Sequence, residues 1–142
     1  MRIGFTGTQK GMWPFQKLKL RYLLTTANAK GYNEFAHGDC IGADQMAHDI
    51  AIELGYKIII HPPINASKRA FCCENAYEVK DAKEYLDRNH DIVDSSDVMI
   101  ATPEQDTEQV RSGTWATIRY AKKKKKKMII IYATEIEIVK EK

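Results

Sequence analysis

Four short segments gather most of the glycine, hydroxyl and small residues that could meet a ligand. They are Gly7-Thr8-Gln9, the run Gly38-Asp39-Cys40-Ile41-Gly42-Ala43-Asp44, His61-Pro62-Pro63, and Thr102-Pro103 with the loop to Ser112-Gly113-Thr114. The chemistry they suit is anion binding. Glycine lets the backbone come close to a guest, and the first N–H groups of a helix face it with the positive end of the helix dipole. Helices starting near Gly42 and at Ser112-Gly113-Thr114 would aim two such ends at one crevice, with the hydroxyls of Thr8, Ser112 and Thr114 as further donors. For any single turn a plainer role is open: the glycine tightens the turn and Ser112 caps a helix. The set of four carries the anion reading.

Other candidates have two roles open. Asp44 and His48 lie four apart, on one helix face near its start. Asp44 could accept hydrogen bonds from a ribose hydroxyl or an adenine amine, or it could complement the helix N-terminus beside a partly buried His48. Arg88 could clamp a phosphate bidentately, with Asn89 beside it, or pair with Glu84 or Asp91 on the surface. Trp115 could stack on a base, belong to the core, or join Ile118 in a subunit contact. The four histidines lack metal-ligand spacing, and Cys40, Cys72 and Cys73 contain no CxxC pair, so neither a metal nor a cofactor is expected.

These turns need rigid elements to hold them. Short apolar runs alternate with amphipathic stretches, the pattern of a parallel sheet covered by helices. Strands are predicted at Arg2–Gly7, Glu34–His37, Lys57–His61, Asp97–Thr102 and Met128–Tyr132, with Glu135–Val139 as a half-wet edge strand. Helices are predicted at Trp13–Ala29, Ile41–Leu54, Lys80–Val93 and Ser112–Lys126. Phe15, Leu18, Leu20, Leu23, Leu24 and Ala27 form the apolar side of the first helix, and Tyr85, Leu86, Ile92 and Val93 that of the third. Residues 64–79 read as a loop with a short helix, and 103–111 as a polar loop. The expected architecture is a single Rossmann-like α/β domain over residues 1–142. It has three layers, with a mostly parallel sheet of about five to six strands and helices on both faces, and residues 134–142 form an edge strand or tail. In such a sheet ligands bind outside the carboxyl ends of the strands, and all four turns fall on that rim.

Composition bounds the function classes. With 142 residues, 44% hydrophobic and 29% charged, the chain suits one folded domain and not a disordered segment. No apolar stretch is long enough to span a bilayer, and MRIGFTGTQKG reads as no secretory signal. Three cysteines fit a reducing compartment, so the cytoplasm is the expected location and no membrane partner is expected. The net charge of +3 owes its sign to one block, Lys122–Lys127. Removing those six from the 22 Lys and Arg residues leaves 16 against 19 Asp and Glu, so the body is acidic. Nucleic-acid binding is disfavoured, because such domains spread their basic residues over a face.

Together these residues resemble the SLOG superfamily, a Rossmann-like group that includes LOG-type phosphoribohydrolases, DprA-like single-strand DNA-binding proteins and a YspA-like branch. The carriers of the resemblance are GFTGTQ (Gly4–Gln9), HGDCIGADQMAHDIA (His37–Ala51), RNHDIVDSSDVMIATP (Arg88–Pro103) and SGTWATIRYA (Ser112–Ala121), in the family's order over residues 1–132. The resemblance implies a candidate ligand-binding set of Gly7, Thr8, Gln9, Gly38, Asp39, Gly42, Ala43, Asp44, Arg88, Asn89, Pro103, Ser112, Gly113, Thr114 and Thr117. LOG-type enzymes pair an arginine, matched here by Arg88, with a glutamate three residues after the GT of PGGxGTxxE. That glutamate position is Thr117, and a threonine cannot work as a carboxylate acid or base. Glu104, Asp106 or Glu108 would have to supply one. No catalytic residue is assigned beyond Arg88 as a candidate.

The expected function is therefore binding of a nucleotide or ADP-ribose-like molecule as a sensor or sequestering protein. The alternatives are LOG-like hydrolysis of a nucleoside monophosphate and DprA-like single-strand DNA binding through the lysine run. Gly113→Asp is expected to abolish binding and Arg88→Ala to weaken it. Members of the superfamily assemble as dimers or larger oligomers, so a homo-oligomer is expected.

Overall fold

The computed structural model describes residues 1–140. Seven strands form one sheet: β1 Arg2–Gly7, β2 Glu34–His37, β3 Lys57–Ile60, β4 Glu78–Val79, β5 Val98–Thr102, β6 Met128–Ile131 and β7 Ile136–Val139. Their order is β4-β3-β2-β1-β5-β6-β7, parallel throughout except for the last pair, β6 and β7. The helices are α1 Pro14–Ala29, α2 Ala43–Glu53, α3 Tyr85–Ser95 and α4 Gly113–Lys123. Among the described residues no helix is long and apolar enough to cross a membrane.

The apolar runs are continuous because the central strands are covered on both sides. Ile3, Phe5, Phe35, Ile58 and Ile60 face α1 and α2, packing against Leu20, Leu24, Ala47 and Ile50. Ala36, Ile59, Met99 and Ala101 belong to the opposite cluster, with Ile92, Val93, Trp115 and Ile118 of α3 and α4. The chain leaves β1 in one direction to build β2, β3 and β4, then returns to β1's other side with β5. The switch point therefore lies where Gly7 of β1 stands in register with Thr102 of β5.

Several predicted boundaries move, each for a visible reason. Residues 80–83 are extended, because Lys80 N–H bonds Ile60 O, Lys83 N–H bonds Pro62 O and Ile64 N–H bonds Lys83 O. Pairing with the β3 exit thus overrides the helical pattern, and α3 begins at Tyr85. Its Ile92 and Val93 are buried as expected, but Tyr85 and Leu86 are exposed, and so is Leu18 of α1. Residues 64–79 form two short 3₁₀ turns and β4. Trp115 and Ile118 lie inside the core, so that face of α4 offers no subunit contact.

The lysine run ends α4 rather than extending it. Lys125 N–H bonds Lys122 O and Lys126 N–H bonds Ala121 O, the paired bonds that close a helix with one left-handed residue. The same two bonds close α1 at Gly31 and α2 at Gly55, where the left-handed residue is glycine. At Lys125 the φ is 57°, which crowds a Cβ that glycine lacks. Lys125→Gly is expected to stabilise the protein by about 1 kcal/mol, raising the thermal midpoint by about 2 to 3 °C in a calorimetric scan.

Candidate functional site

At the switch point the rim opens into a cleft of about 290 Å³. Its walls are the β1 turn with Gly7, Thr8, Gln9 and Lys10, the start of α4 with Ser112, Gly113, Thr114 and Trp115, and Tyr85. The 103–111 loop closes one side with Glu104, Gln105 and Gln109. Gln16, a residue the periodicity of α1 gave no reason to single out, anchors this loop. Its buried amide donates to Pro103 O and Ile131 O at 2.8 Å each, and its oxygen accepts from Trp13 N–H.

The backbone amides are the chemistry of this cleft. Thr8 O accepts from Gly11 N–H and Ala43 N–H, which fixes the turn after Gly7. Ser112 caps α4, its hydroxyl oxygen accepting from Trp115 N–H at 3.2 Å. The N–H groups of Gln9, Gly113 and Thr114 have no hydrogen-bond partner among the described residues, whereas Thr8 N–H belongs to the pairing of Gly7 with Thr102. Unpaired amides at a helix start and in a glycine turn carry partial positive charge and suit an anion. Lys10 adds a full charge at the mouth, held 3.3 Å from Glu104. The α2 start contributes differently from the expectation. Its first amide is engaged by Thr8 O, and a Cβ at Gly42 would strike Gln9 O, so α2 buttresses the turn from beneath.

The remaining candidates form a second, buried polar block under the β2 exit. Asp44 accepts from Gly38 N–H and Cys40 N–H at 3.2 and 3.1 Å. Asp39 accepts from Arg69 Nε and Cys72 N–H, both at 2.8 Å. Arg88 is 2% exposed and donates to Asn89 Oδ1, Gly38 O, His61 O and Cys40 Sγ. These side chains hold one another and the loop; they do not line the cleft. Ala43 and Pro103 are buried beside it, and Thr117 turns its hydroxyl back onto Gly113 O at 2.9 Å. Thus Gly7, Thr8, Gln9, Ser112, Gly113 and Thr114 come together around one space, while Gly38, Asp39, Gly42, Ala43, Asp44, Arg88, Asn89, Pro103 and Thr117 support it. Lys10 and Tyr85 join the walls without having been singled out.

Of the carboxylates considered for acid or base work, Glu104 lines the cleft, whereas Glu108 is paired with Arg119 at 2.7 Å. His37 and His48 continue the buried block. Asp39 N–H donates to His37 Nδ1, so His37 Nε2 carries the proton and donates to His48 Nδ1 at 2.9 Å. His48 Nε2 then donates to Asn75 Oδ1 at 2.6 Å. Among the described residues no group of His, Cys, Asp and Glu side chains is placed to hold a metal ion.

Burial sets the titration of this block. It pushes His61 down to about 4 and holds His37 well below its usual 6.5, with His48 and Arg88 adding to the latter. Both gain protons on unfolding, so they make stability rise with pH below 6.5, His61 from about 4 upward. Asp44 acts in the opposite sense: burial raises its carboxyl to about 6 against the pull of Arg88, and stability falls as pH passes from 3.8 to that value. Two histidines act in the one sense and Asp44 alone in the other, so the net slope is upward. The thermal midpoint is expected to be higher at about pH 6.5 than at about pH 4.5, and Asp44→Asn to steepen the rise. Calorimetric scans across that range check it; a midpoint that falls with pH would contradict the assignment of His37 as neutral.

No protein-family model matches the chain, and no curated protein matches it by sequence. Solved structures do match. The molybdenum cofactor binding protein of the phototrophic bacterium Rippkaea orientalis superposes with a TM-score of 0.70 at 21% identity, over 92% of this chain and 76% of that one. The molybdenum cofactor carrier protein of Chlamydomonas reinhardtii gives 0.63 at 20% identity, over 91% and 74%. An X-ray structure of a structural-genomics target gives 0.65 at 18%, over 89% and 71%. What they share with this chain is the fold. It is Rossmann-like, as the alternating pattern of strands and helices led one to expect.

Proposed function

We propose that this chain binds a phosphate-bearing nucleotide or nucleotide-derived small molecule in the rim cleft and holds it unchanged, as a sensor, carrier or sequestering protein of the SLOG type. The observation that carries this reading is the convergence of three unpaired backbone amides, Gln9, Gly113 and Thr114, from two separate crossovers, with Lys10 beside them. A phosphate has enough acceptor oxygens to satisfy all three, and its negative charge is favoured by the start of α4 and by Lys10. Two neighbours of this fold are a molybdenum cofactor binding protein and a molybdenum cofactor carrier protein, which agrees with a small-molecule cargo.

A hydrolase is the second reading, and Glu104 is the observation that favours it, since its carboxylate lines the cleft. Against it stand the distance in sequence from the LOG-type position and the engagement of Glu104 by Lys10. Incubation of the purified protein with AMP decides between them. Binding by calorimetry with AMP recovered intact on chromatography is the expected result; release of free adenine would establish hydrolysis instead.

A further inference from the structure

Gln9 and Tyr85 line two cavities at once. Behind them lies a second space of about 310 Å³, walled by Cys40, Pro63, Asn65, Lys68 and Glu84. Each space alone is at the lower limit for a ligand site, and side by side across Tyr85 they reach the usual range. We infer that they are two lobes of one site, and that its guest is a phosphorylated nitrogen heterocycle with the phosphate in the first lobe and the ring system in the second. This rests on the cleft being a phosphate site and adds what lies at the other end of the guest.

The lining of the second lobe differs in kind from the first. It pairs one cation, Lys68, with one anion, Glu84, and neither is in an ion pair among the described residues. Asn65 Oδ1 accepts from Ser67 N–H at 3.0 Å, which leaves its amide hydrogens available, and Gln9 offers a second carboxamide. Balanced charge and mixed donors and acceptors match the edge of a neutral heterocycle with ring nitrogens, carbonyl and amino groups, and disfavour a second phosphate. Pro63 and the buried Cys40 supply an apolar patch for a ring face.

Tyr85 is the element that joins the lobes. Its ring lies 4.7 Å from the Arg88 guanidinium, and a Cβ built at Gly113 would collide with the ring and hydroxyl. The ring is therefore fixed between α3 and the start of α4, yet keeps 38% of its surface open. A partly exposed aromatic held in place between a phosphate subsite and a mixed polar lobe can offer its remaining surface to a base. Arg88 is a positioning residue for this ring.

The test is calorimetry with inorganic phosphate, ribose 5-phosphate, AMP and GMP on the wild type and on the double variant Lys68→Ala/Glu84→Ala. Both substitutions are on exposed side chains that do not line the phosphate cleft, so the fold and the phosphate subsite stay intact. In the wild type at least one of AMP and GMP is expected to bind about tenfold or more tighter than ribose 5-phosphate, and the double variant to lose most of that gain while binding inorganic phosphate within about twofold of wild type. If phosphate binds but neither purine nucleotide gains over ribose 5-phosphate, or the double variant keeps the gain, the two-lobe inference fails and the phosphate cleft stands. If neither phosphate nor nucleotide binds, both readings fall.

Discussion

Gly113→Asp is expected to lower affinity for inorganic phosphate and AMP by about 100-fold or more, an effect of about 2.7 kcal/mol. The substitution sets a carboxylate between the unpaired amides of Gly113 and Thr114, where it competes for the same donors and repels the phosphate at short range. The loss would not come from a failed helix, because an acidic residue in the first turn favours the dipole of α4. A separate effect must be taken apart from the charge. Any side chain at this position pushes Tyr85 aside, since the Cβ alone would overlap its ring. Gly113→Ala makes that displacement without adding charge. It is expected to spare most of the phosphate affinity and to cost AMP more than phosphate, because only the nucleotide uses the ring. Calorimetric titration of both variants with both ligands gives the comparison. Equal affinity for phosphate in wild type and Gly113→Asp would remove the cleft from consideration.

How far the sequence reached depends on what kind of property was being read. Most strands were legible because a parallel sheet buried on both faces demands runs such as Lys57–Ile60 and Met128–Ile131, whereas the two-residue β4, Glu78–Val79, carries no such run. The rim followed from the topology rule, and with it the Gly7–Gln9 turn and the Ser112 cap. What did not follow was which rim side chains face outward. Asp39, Asp44 and Arg88 are charged and sit in ligand-rich segments, so their types suggested contact with a guest. Their hydrogen-bonding capacity is instead met by Gly38, Cys40, Cys72 and Arg69, partners brought together only by the fold. Tyr85 was hidden for a related reason. A helix counted from Lys80 makes it a core residue, but pairing of 80–83 with the β3 exit starts α3 at Tyr85 and leaves the ring at the cleft. Lys10 did carry a signal, a lysine beside a glycine turn that ends a strand, but one of 22 basic residues does not stand out by type.

Arg88→Ala is expected to act on stability first and on phosphate affinity little. The guanidinium is almost wholly buried and ties together the carbonyls of Gly38 and His61, the Asn89 side chain and the Cys40 sulfur. Its removal strands two buried carbonyls, leaves a void beside Gly38, and takes from Asp44 the positive charge that opposes its desolvation. Breaking a buried charged network of this kind costs about 3 to 5 kcal/mol. At about 3 °C per kcal/mol for a chain of this size, the thermal midpoint should fall by about 10 °C or more. Arg88→Lys should recover little of it, since an ammonium cannot reproduce the planar fork that reaches four partners at once. If Arg88 instead clamped the guest, the two measurements would exchange their results: a nearly unchanged midpoint and a large loss of phosphate affinity. Scanning calorimetry and phosphate titration on the same preparation, held well below the variant's midpoint, therefore separate an arginine that builds the site from one that touches its occupant. The first is the outcome expected from the buried network, and a variant that melts like wild type but no longer holds phosphate would overturn it.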